Sequence, residues 1–466
     1  MCYLDTKEFL NRVCQEIKYK PAKRDISEEM ETHIQDLKEN YIHDGFTNLE
    51  AEEKAVAQMG NAEEIGKKLN KIHRPKLEWK LLILILILMG FEIFTLILKQ
   101  PLLYDYKYYL RNAIIYIIIG LILSVGIYFF DYKKIKNYSN IIFAIATIIM
   151  ILPIILKGPT INGTYYIRGF NINIFPPTIA LPLYIISIIG CIVNYDKRKI
   201  HKIEILNRKI VLNMDSIKIA IFCIISLVLM LSIPSMVDAI MLGIVYLIIL
   251  TIKIWKNKES RLRRLSIMYG VVFIVAGFIL YNILVVSPFR SARFIGSFYP
   301  ELDPDGFGYT GMLQKEIIEN SKLIGEADTE ILKDPTSIIN VESNFTFIYI
   351  LGKAGILIAG ILVFTIILIS VKLIIDARKI KELYGKLLII GLSSIYILQS
   401  FATILMNLNL GIQTNLNLPF VTYGGVNLFV NLFSMALILS IYRRKDINEY
   451  DKVYERKKIN LLEFIK

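Results

Sequence analysis

Long uninterrupted apolar runs are the feature that most constrains the fold of this chain. The runs Leu81 to Met89 and Ala113 to Tyr128 contain no charged residue. A helix of about 20 apolar residues crosses the hydrocarbon layer of a bilayer. Because 55% of the 466 residues are apolar and only 20% are charged, disorder, a disulfide scaffold and a coiled coil are excluded. The chain is therefore predicted to be an all-α polytopic membrane protein.

Ten transmembrane spans are predicted, within a membrane domain that covers residues 79–445. They lie at about 79–98, 112–130, 139–157, 175–194, 217–233, 235–253, 266–287, 345–374, 385–405 and 426–442. Residues 446–466 are predicted to form a basic cytoplasmic tail.

The loops between these spans alternate in charge, which predicts their sides of the membrane. One set is basic: Lys133, Lys134 and Lys136; Lys197, Arg198, Lys199, Lys202, Arg208 and Lys209; Lys256, Lys258, Arg261, Arg263 and Arg264; Arg378, Lys379 and Lys381; and Arg443, Arg444 and Lys445. The other set is poor in bases, and the long loop 288–344 holds ten acids against five bases. The pattern predicts that both termini are cytoplasmic and that residues 288–344 face outside.

Residues 1–78 differ from the rest, with 13 Lys and Arg against 16 Asp and Glu. Apolar faces repeat with helical spacing, for example Phe9, Val13 and Ile17. Thr47 and Glu50 form a capping-box pattern, which predicts the start of a helix. The segment is therefore predicted to be a small cytoplasmic helical prefix domain, and the spacing of its histidines matches no metal-ligand set.

Two outside loops are long enough to carry function. The loop 288–344 contains turn signals followed by a predicted helical stretch near Leu313–Ile324. The loop Asn407–Gly425 has no charge and is rich in Asn, Gly and Pro. Such a backbone at the edge of a membrane must be buried in protein or line a cavity.

Motifs in these loops resemble the FtsW/RodA/SpoVE proteins, the family of shape, elongation, division and sporulation (SEDS). The run Pro288 to Pro300, followed by Asp303 to Tyr309, resembles the family's long outside loop. The segment from Gln399 to Gly425 is similar to the family's C-terminal hallmark, which reads LPFxSYGGS. Further matching residues are Arg111, Gly120, Asp131, Tyr132, Asn162 and Gly163.

The resemblance implies a peptidoglycan glycosyltransferase that polymerises lipid II, a polyprenyl-pyrophosphate-linked glycan precursor, with a class B penicillin-binding protein as partner. It implies action in the cell membrane during cell division, cell-shape maintenance or sporulation, and no nucleic-acid partner. The attacking sugar hydroxyl needs a general base, normally a carboxylate. The departing pyrophosphate needs cationic or strong hydrogen-bond donors, for which paired arginines are suited. No cofactor is certain, and a divalent cation is possible.

The site residues implied by the resemblance include one departure from the family pattern. Asn344 occupies the position of the family's catalytic aspartate, and an amide cannot accept a proton at neutral pH. Glu342, two residues earlier, is a possible substitute base. The implied substrate-binding residues are Arg290, Arg293, Pro300, Asp303, Tyr309, Asn407, Pro419, Tyr423, Gly424 and Gly425.

Two alternatives to a competent polymerase follow from this departure. The chain could be a non-catalytic paralogue that binds a lipid-linked precursor or a partner protein. It could also be a transporter of a lipid-linked precursor. Glu92 and Asp238 are further candidates for a role because acids within spans are costly, although Glu92 is expected to be hydrated near the outer interface.

The predicted orientation can be tested by cysteine labelling in a background whose four native cysteines are replaced by serine. We expect Asp328→Cys to react with a membrane-impermeant maleimide on intact cells, because the positive-inside rule places loop 288–344 outside. Lys256→Cys, in a basic loop, is the control and should react only after lysis. The reverse pattern would overturn the assigned topology.

Overall fold

The computed structural model describes most of the chain. The described residues are 5–18, 20–73, 77–103, 105–161, 164–169, 172–194, 200–205, 208–233, 235–255, 288–332 and 344–445. By contacts the chain divides into two compact units. One contains Met1–Glu78 with Lys379–Glu382 and Ile441–Lys466, and the other contains Trp79–Arg378 and Leu383–Ser440. The predicted seventh span and the predicted tail 446–466 lie outside the described residues.

The first 78 residues form four helices around an apolar core. The helices are α1 (Thr6–Glu16), α2 (Lys20–His43), α3 (Asn48–Met59) and α4 (Ala62–His73). Phe9, Val13 and Ile17 are each 1% exposed and pack with Ile26 and Ile34 of α2. The apolar faces read from the sequence are therefore the faces that meet in the core.

The ends of α3 follow the predicted capping chemistry. The Thr47 side chain accepts a hydrogen bond from the Glu50 backbone N–H, and the Glu50 carboxylate accepts one from the Thr47 N–H. Both hydrogen bonds satisfy donors that a helix start leaves open. Gly60 ends the helix with φ +91°, a left-handed conformation that glycine adopts without strain.

The second unit is an all-α bundle of apolar helices. Eight helical segments among the described residues are long and apolar enough to cross a membrane. They comprise α5 (Trp79–Leu98), α6 (Tyr106–Phe129), a 3-10 turn (Tyr132–Tyr138) continuous with α7 (Ser139–Ile155), α8 (Pro176–Val193), α10 (Met236–Trp255), α14 (Ile356–Lys379), α15 (Leu383–Asn407) and α16 (Gly425–Arg443). The predicted fifth span is helix α9 (Met214–Ser232), whose apolar part Ile217–Ser232 is shorter.

The remaining elements are short and lie between the spans. Three antiparallel two-stranded hairpins are formed by β1 (Thr160–Ile161) with β2 (Thr164–Tyr165), β3 (Ile167–Gly169) with β4 (Ile172–Ile174), and β5 (Ile200–Ile205) with β6 (Arg208–Asn213). The long loop contains α11 (Pro288–Phe298), 3-10 turns at Pro300–Leu302 and Glu330–Leu332, and α12 (Tyr309–Glu319), and it is followed by α13 (Thr346–Ala354).

Close packing places α8 at the centre of the bundle. This helix is buried along most of its length, whereas α6 is exposed along most of its length. A Cβ atom on Gly190 would lie 1.8 Å from the Ser139 hydroxyl oxygen, and one on Gly391 would lie 2.6 Å from Ile185. Glycine at these positions therefore allows α7 and α15 to approach α8 closely.

Two predicted elements have different bounds in the structure. The predicted span 345–374 is two helices, α13 and α14, because Gly355 takes φ +95° and ends the first. The helix predicted near Leu313–Ile324 is α12, which ends at Glu319. After it the chain turns along α13, where Ala327 N–H donates to the Gly352 carbonyl at 2.7 Å. These long-range hydrogen bonds are not visible in a local sequence pattern.

The expectation that Glu92 is hydrated is wrong. Glu92 is 1% exposed on α5, and both carboxylate oxygens are buried without a hydrogen-bond partner among the described residues. The position of Glu92 around the helix directs its side chain into the bundle. This direction cannot be predicted from the distance to the membrane interface alone.

A half-buried ion pair supplies a test of the N-terminal helices. Lys38 Nζ and the Thr6 hydroxyl donate to the Glu52 carboxylate at 2.5 and 2.6 Å, and these hydrogen bonds lower the pKa of Glu52 to about 2. Because the folded-state value lies below the ordinary 4.5, the stabilisation is present above pH 4.5 and is lost as pH falls toward 2.

We expect Glu52→Gln to lower the stability of these helices by about 1 kcal/mol at pH 7, a value discounted for the partial exposure of the pair. The measurement is hydrogen exchange of residues 5–73 in the full-length protein at pH 7 and pH 3, corrected for intrinsic rates. Glu53→Gln, at an exposed neighbour, is the control. Equal protection of the Glu52 and Glu53 variants at pH 7 would contradict the assignment.

Candidate functional site

The turn after α11 is built around Asp303 and two glycines. The Asp303 carboxylate accepts the Phe307 N–H at 2.8 Å, and its carbonyl accepts the N–H groups of Gly306 and Gly308 at 3.2 and 2.9 Å. A Cβ on Gly308 would lie 2.1 Å from the carbonyl oxygen of Pro300, which is buried. The predicted binding residues Asp303 and Pro300 therefore hold this turn together, and the exposed turn positions the start of α12 at Tyr309.

The two arginines of the long loop lie on one helix. Arg290 and Arg293 belong to α11 and are three residues apart, a spacing that puts both on neighbouring positions of a helix surface. Their side chains lie outside the described residues, as does Glu342. Their predicted roles toward pyrophosphate and as a substitute base stay predictions.

Asn407 joins three segments at the end of α15. Its side chain is 0% exposed, and its Nδ2 donates to the carbonyls of Asn344 and Thr403 at 2.9 and 2.8 Å. Its Oδ1 accepts the backbone N–H of Ile348 at 3.0 Å. One amide thus caps the last turn of α15 and satisfies an open donor in the first turn of α13.

Asn344 is 7% exposed and lies directly before α13. Its Nδ2 donates to the Thr414 carbonyl at 3.2 Å and makes a long contact of 3.5 Å with Asn415 Oδ1. Both contacts require a donor at this position. A carboxylate there would face two oxygen atoms, so the surroundings of Asn344 suit an amide rather than the family's aspartate.

The uncharged loop 408–424 is held by side-chain hydrogen bonds to the long loop 288–344. Gln413 Nε2 donates to Gln314 Oε1 at 2.9 Å, and the Gln413 N–H donates to the Ser297 hydroxyl at 3.0 Å. Gln314, which is 2% exposed, donates in turn to the Met406 carbonyl at 3.1 Å. Leu416 and residues 418–422 of the loop are buried, as its composition requires at a membrane edge, whereas Leu410 is exposed.

The end of this loop makes a tight turn against α6. Thr422 Oγ1 accepts the Leu418 N–H at 3.0 Å across the buried Pro419. The Tyr423 ring packs edge-on to Tyr109 at 5.3 Å between centroids. Burial raises the pKa of Tyr423 to about 12, so its phenol is neutral at physiological pH.

The two glycines that follow have different surroundings. A Cβ on Gly425 would lie 3.0 Å from the Tyr116 ring, whereas one on Gly424 would meet nothing closer than 3.5 Å. Close packing therefore requires glycine at Gly425 and leaves room at Gly424.

A small cavity of about 40 Å³ lies within the bundle beside this loop, and we call it the polar cavity for the amide, hydroxyl and carboxyl groups in a lining that is otherwise apolar. Its polar lining comes from four helices and one loop and is rich in amides: Thr178, Asp238, Gln399, Asn415, Asn417, Asn427, Asn431 and Ser434. The helical members lie near the α8, α10 and α16 N-termini and in the C-terminal half of α15, which the predicted topology assigns to the outer side.

An apolar groove of about 350 Å³ adjoins this cavity. It is formed by α6, α8 and α16 and is lined by Gly120, Leu123, Ser124, Ile127, Ile179, Pro182, Leu183, Phe429, Val430, Leu432 and Phe433. Pro182 and Val430 line both the groove and the cavity. A Cβ on Gly120 would lie 2.5 Å from the Leu432 side chain, so glycine at this position allows α6 and α16 to pack closely.

Several cavity residues were not predicted as site residues. Asn427 and Asn431 are four residues apart on α16, and Gln399 on α15 is followed at the same spacing by Thr403 and Asn407, which lie outside the lining. Amides spaced by one helical turn in an apolar span lie on one face and mark an interior surface. That spacing is the signal that could have identified them. Within the described residues, no group of three or more His, Cys, Asp or Glu side chains could hold a metal ion.

Lys353 of α13 has a defined structural partner. Its Nζ pairs with the Glu326 carboxylate at 2.5 Å. The pair links α13 to the segment that follows α12, next to the hydrogen bond from Ala327 to Gly352.

Comparisons with known proteins are consistent with the fold of the bundle. A family model of the FtsW/RodA/SpoVE type, described as cell cycle protein, matches residues 76–447. The chain is 22% identical over 346 residues to a probable peptidoglycan glycosyltransferase FtsW of Trichlorobacter lovleyi, covering 72% of this chain and 84% of that protein. It is 25% identical to the Buchnera aphidicola protein of the same name, covering 73% of this chain and 92% of that one.

Two solved structures share the architecture. One belongs to a study of the structural coordination of polymerization and crosslinking by a peptidoglycan synthase complex, with a TM-score of 0.60, 17% identity and coverage of 79% of this chain and 98% of that chain. The other is the rod shape determining protein RodA of Thermus thermophilus, with a TM-score of 0.52, 14% identity and coverage of 79% and 97%. At these identities the likeness establishes the fold alone.

Asn407 can be tested with a matched control on α12. We expect Asn407→Ala to lower the free energy of unfolding by about 2–4 kcal/mol, because the buried N–H of Ile348 and the carbonyl of Asn344 lose their side-chain partner. Asn320→Ala is the control, since Asn320 also donates to the carbonyl four residues earlier, at 2.9 Å, but is exposed. Thermal unfolding of the detergent-solubilised protein measures both, and equal losses would contradict the bridging role of Asn407.

Proposed function

Because this chain belongs to the FtsW/RodA/SpoVE family of cell cycle proteins, we propose that it binds lipid II and polymerises its glycan in the cell membrane. Its relatives are named as probable peptidoglycan glycosyltransferases, which supports the same reaction class here. The process proposed for this chain is peptidoglycan synthesis in cell division or cell-shape maintenance. Sporulation is supported only as a role of the family as a whole.

The observation that carries this proposal is the junction of the polar cavity with the apolar groove. The two share Pro182 and Val430 as lining residues. Lipid II joins a polar glycan and pyrophosphate to a long polyprenyl chain. The amide groups in the cavity lining can pair with hydroxyl groups of a sugar, and an apolar groove suits an isoprenoid chain.

The proposed reaction takes place at the outer face, with both termini in the cytoplasm, as the basic loops favour. The 4-hydroxyl of one glycan attacks the anomeric carbon of another, and the polyprenyl pyrophosphate leaves. Arg290 and Arg293 of α11 are proposed to bind the departing pyrophosphate, because guanidinium groups form paired hydrogen bonds with phosphate oxygens.

A class B penicillin-binding protein is the proposed partner. The similar synthase complex is described as coordinating polymerization with crosslinking, which supports such an assembly for this chain. The partner would crosslink the strands that this chain forms.

A second candidate function is non-catalytic binding of the same precursor. The observation that favours it is Asn344, whose amide donates to Thr414 and cannot accept a proton. A precursor-binding paralogue would keep the cavity and the groove but form no polymer.

Both candidates are tested by incubating the purified full-length protein, with a class B penicillin-binding protein, with fluorescent lipid II. We expect binding of lipid II and formation of glycan polymer. We expect Asn344→Asp to form no more polymer than the unmodified chain, because its carboxylate would face the Thr414 carbonyl and cost about 1–3 kcal/mol. Asn320→Asp controls for added charge on the outer loop.

The outcomes separate the two candidates. Lipid II binding without polymer, together with polymer formation only by Asn344→Asp, would favour the non-catalytic function. Failure of the unmodified chain to bind lipid II would contradict both.

A further inference from the structure

Asp238 is the one carboxylate among the described residues that line the polar cavity. It lies in the first turn of α10, and it is 5% exposed. An acid inside a transmembrane bundle is costly to bury and is found where it has a partner or a function.

One hydrogen bond orients this carboxylate. The Ser235 hydroxyl donates to Asp238 Oδ2, and Ser235 is itself buried. Within the described part of the chain, no hydrogen bond engages Oδ1, so this oxygen is available to a ligand in the cavity. The N-terminus of α10 also favours a negative charge at this position.

The amide side chains among the other lining residues can pair with the hydroxyl groups of a ligand. Gln399 Nε2 donates to the Asn417 carbonyl at 2.8 Å, while Asn417 Oδ1 is buried and has no hydrogen-bond partner in the described structure. An unsatisfied acceptor of this kind needs a donor such as water or a sugar hydroxyl. Asp238 and Asn417 line the same cavity.

Asn344 lies next to the cavity. Its Nδ2 is 3.5 Å from Oδ1 of Asn415, a residue that lines the cavity. The amide of Asn344 cannot take the proton that a sugar hydroxyl loses on attack. A competent transferase therefore needs a carboxylate at another position, and Asp238 is the one that the described cavity lining contains.

We infer that Asp238 is the general base for the attacking sugar hydroxyl, an assignment that rests on the proposed polymerase function. Asp238 Oδ1 accepts the hydroxyl proton as the oxygen bonds to the anomeric carbon of the second glycan. The bond from that carbon to the pyrophosphate oxygen breaks, and the polyprenyl pyrophosphate leaves with the electron pair. The proton then passes from Asp238 to water.

The test measures lipid II affinity and polymerisation rate separately in the full-length protein with its penicillin-binding partner. We expect Asp238→Asn to lower the rate by about 100-fold or more, because the amide cannot accept a proton, and to leave the affinity within about threefold. Glu92→Gln is the matched control: it also neutralises a buried acid in a span, but outside the cavity lining. It should keep the rate within about threefold.

Two further variants keep the inference falsifiable. Ser235→Ala frees the carboxylate to rotate, and we expect about a tenfold lower rate at unchanged affinity, since misplacement of a catalytic group is costly. If Asp238→Asn does not fold, an unchanged rate in Ser235→Ala overturns the assignment. Glu342→Gln tests the competing base.

The outcomes are distinct from those of the proposed function. A rate in Asp238→Asn within threefold of the unmodified chain, or a loss of polymer in Glu342→Gln alone, overturns the role of Asp238 and leaves the polymerase function intact. Lipid II binding without any polymer overturns the role of Asp238 and favours the non-catalytic candidate. Absence of lipid II binding overturns the proposed function itself.

Discussion

The hydrogen bonds of the buried Asn407 side chain are the interaction on which the end of the bundle that carries Asn344 depends. A single amide donates to Asn344 and Thr403 and accepts from Ile348. Backbone groups at helix ends and in loops must find partners where water is excluded. Asn407 provides such hydrogen-bond partners for α15 and α13 together. The loop that carries Asn344 and the helix that follows it are therefore held in a single position relative to α15.

The same constraint explains why the uncharged loop 408–424 has so many amides. Gln413 and Gln314 donate to neighbouring loops and helices, and each of these hydrogen bonds offsets the cost of burying a polar group. Asn417 Oδ1 is left without a partner among the described residues and lines the cavity. The polar cavity is thus a region where the lining retains hydrogen-bonding capacity, next to an apolar groove that has almost none.

Much of the fold could be predicted because its physical cause is local. Helices such as α5 and α8 follow from apolar runs, since a backbone in hydrocarbon must pair its own hydrogen-bonding groups. The capping residues Thr47 and Glu50 predicted the start of α3. The break at Gly355 and the short α12 could not be predicted, because they depend on hydrogen bonds between segments about 30 residues apart. Periodicity within one segment contains no information about such partners.

The candidate site also has features that the sequence could predict and features that it could not. The sequence by itself determined an all-α membrane protein, the family to which its motifs belong, and the presence of an amide where a carboxylate was expected. Only the tertiary structure decided that Asn344 donates to Thr414, that Asp303 closes a turn, and that Asp238 of α10 lines one cavity with Asn417 and Asn427. The physical reason is that side chains from distant helices meet only when the bundle packs, and burial and hydrogen bonding are properties of that packing.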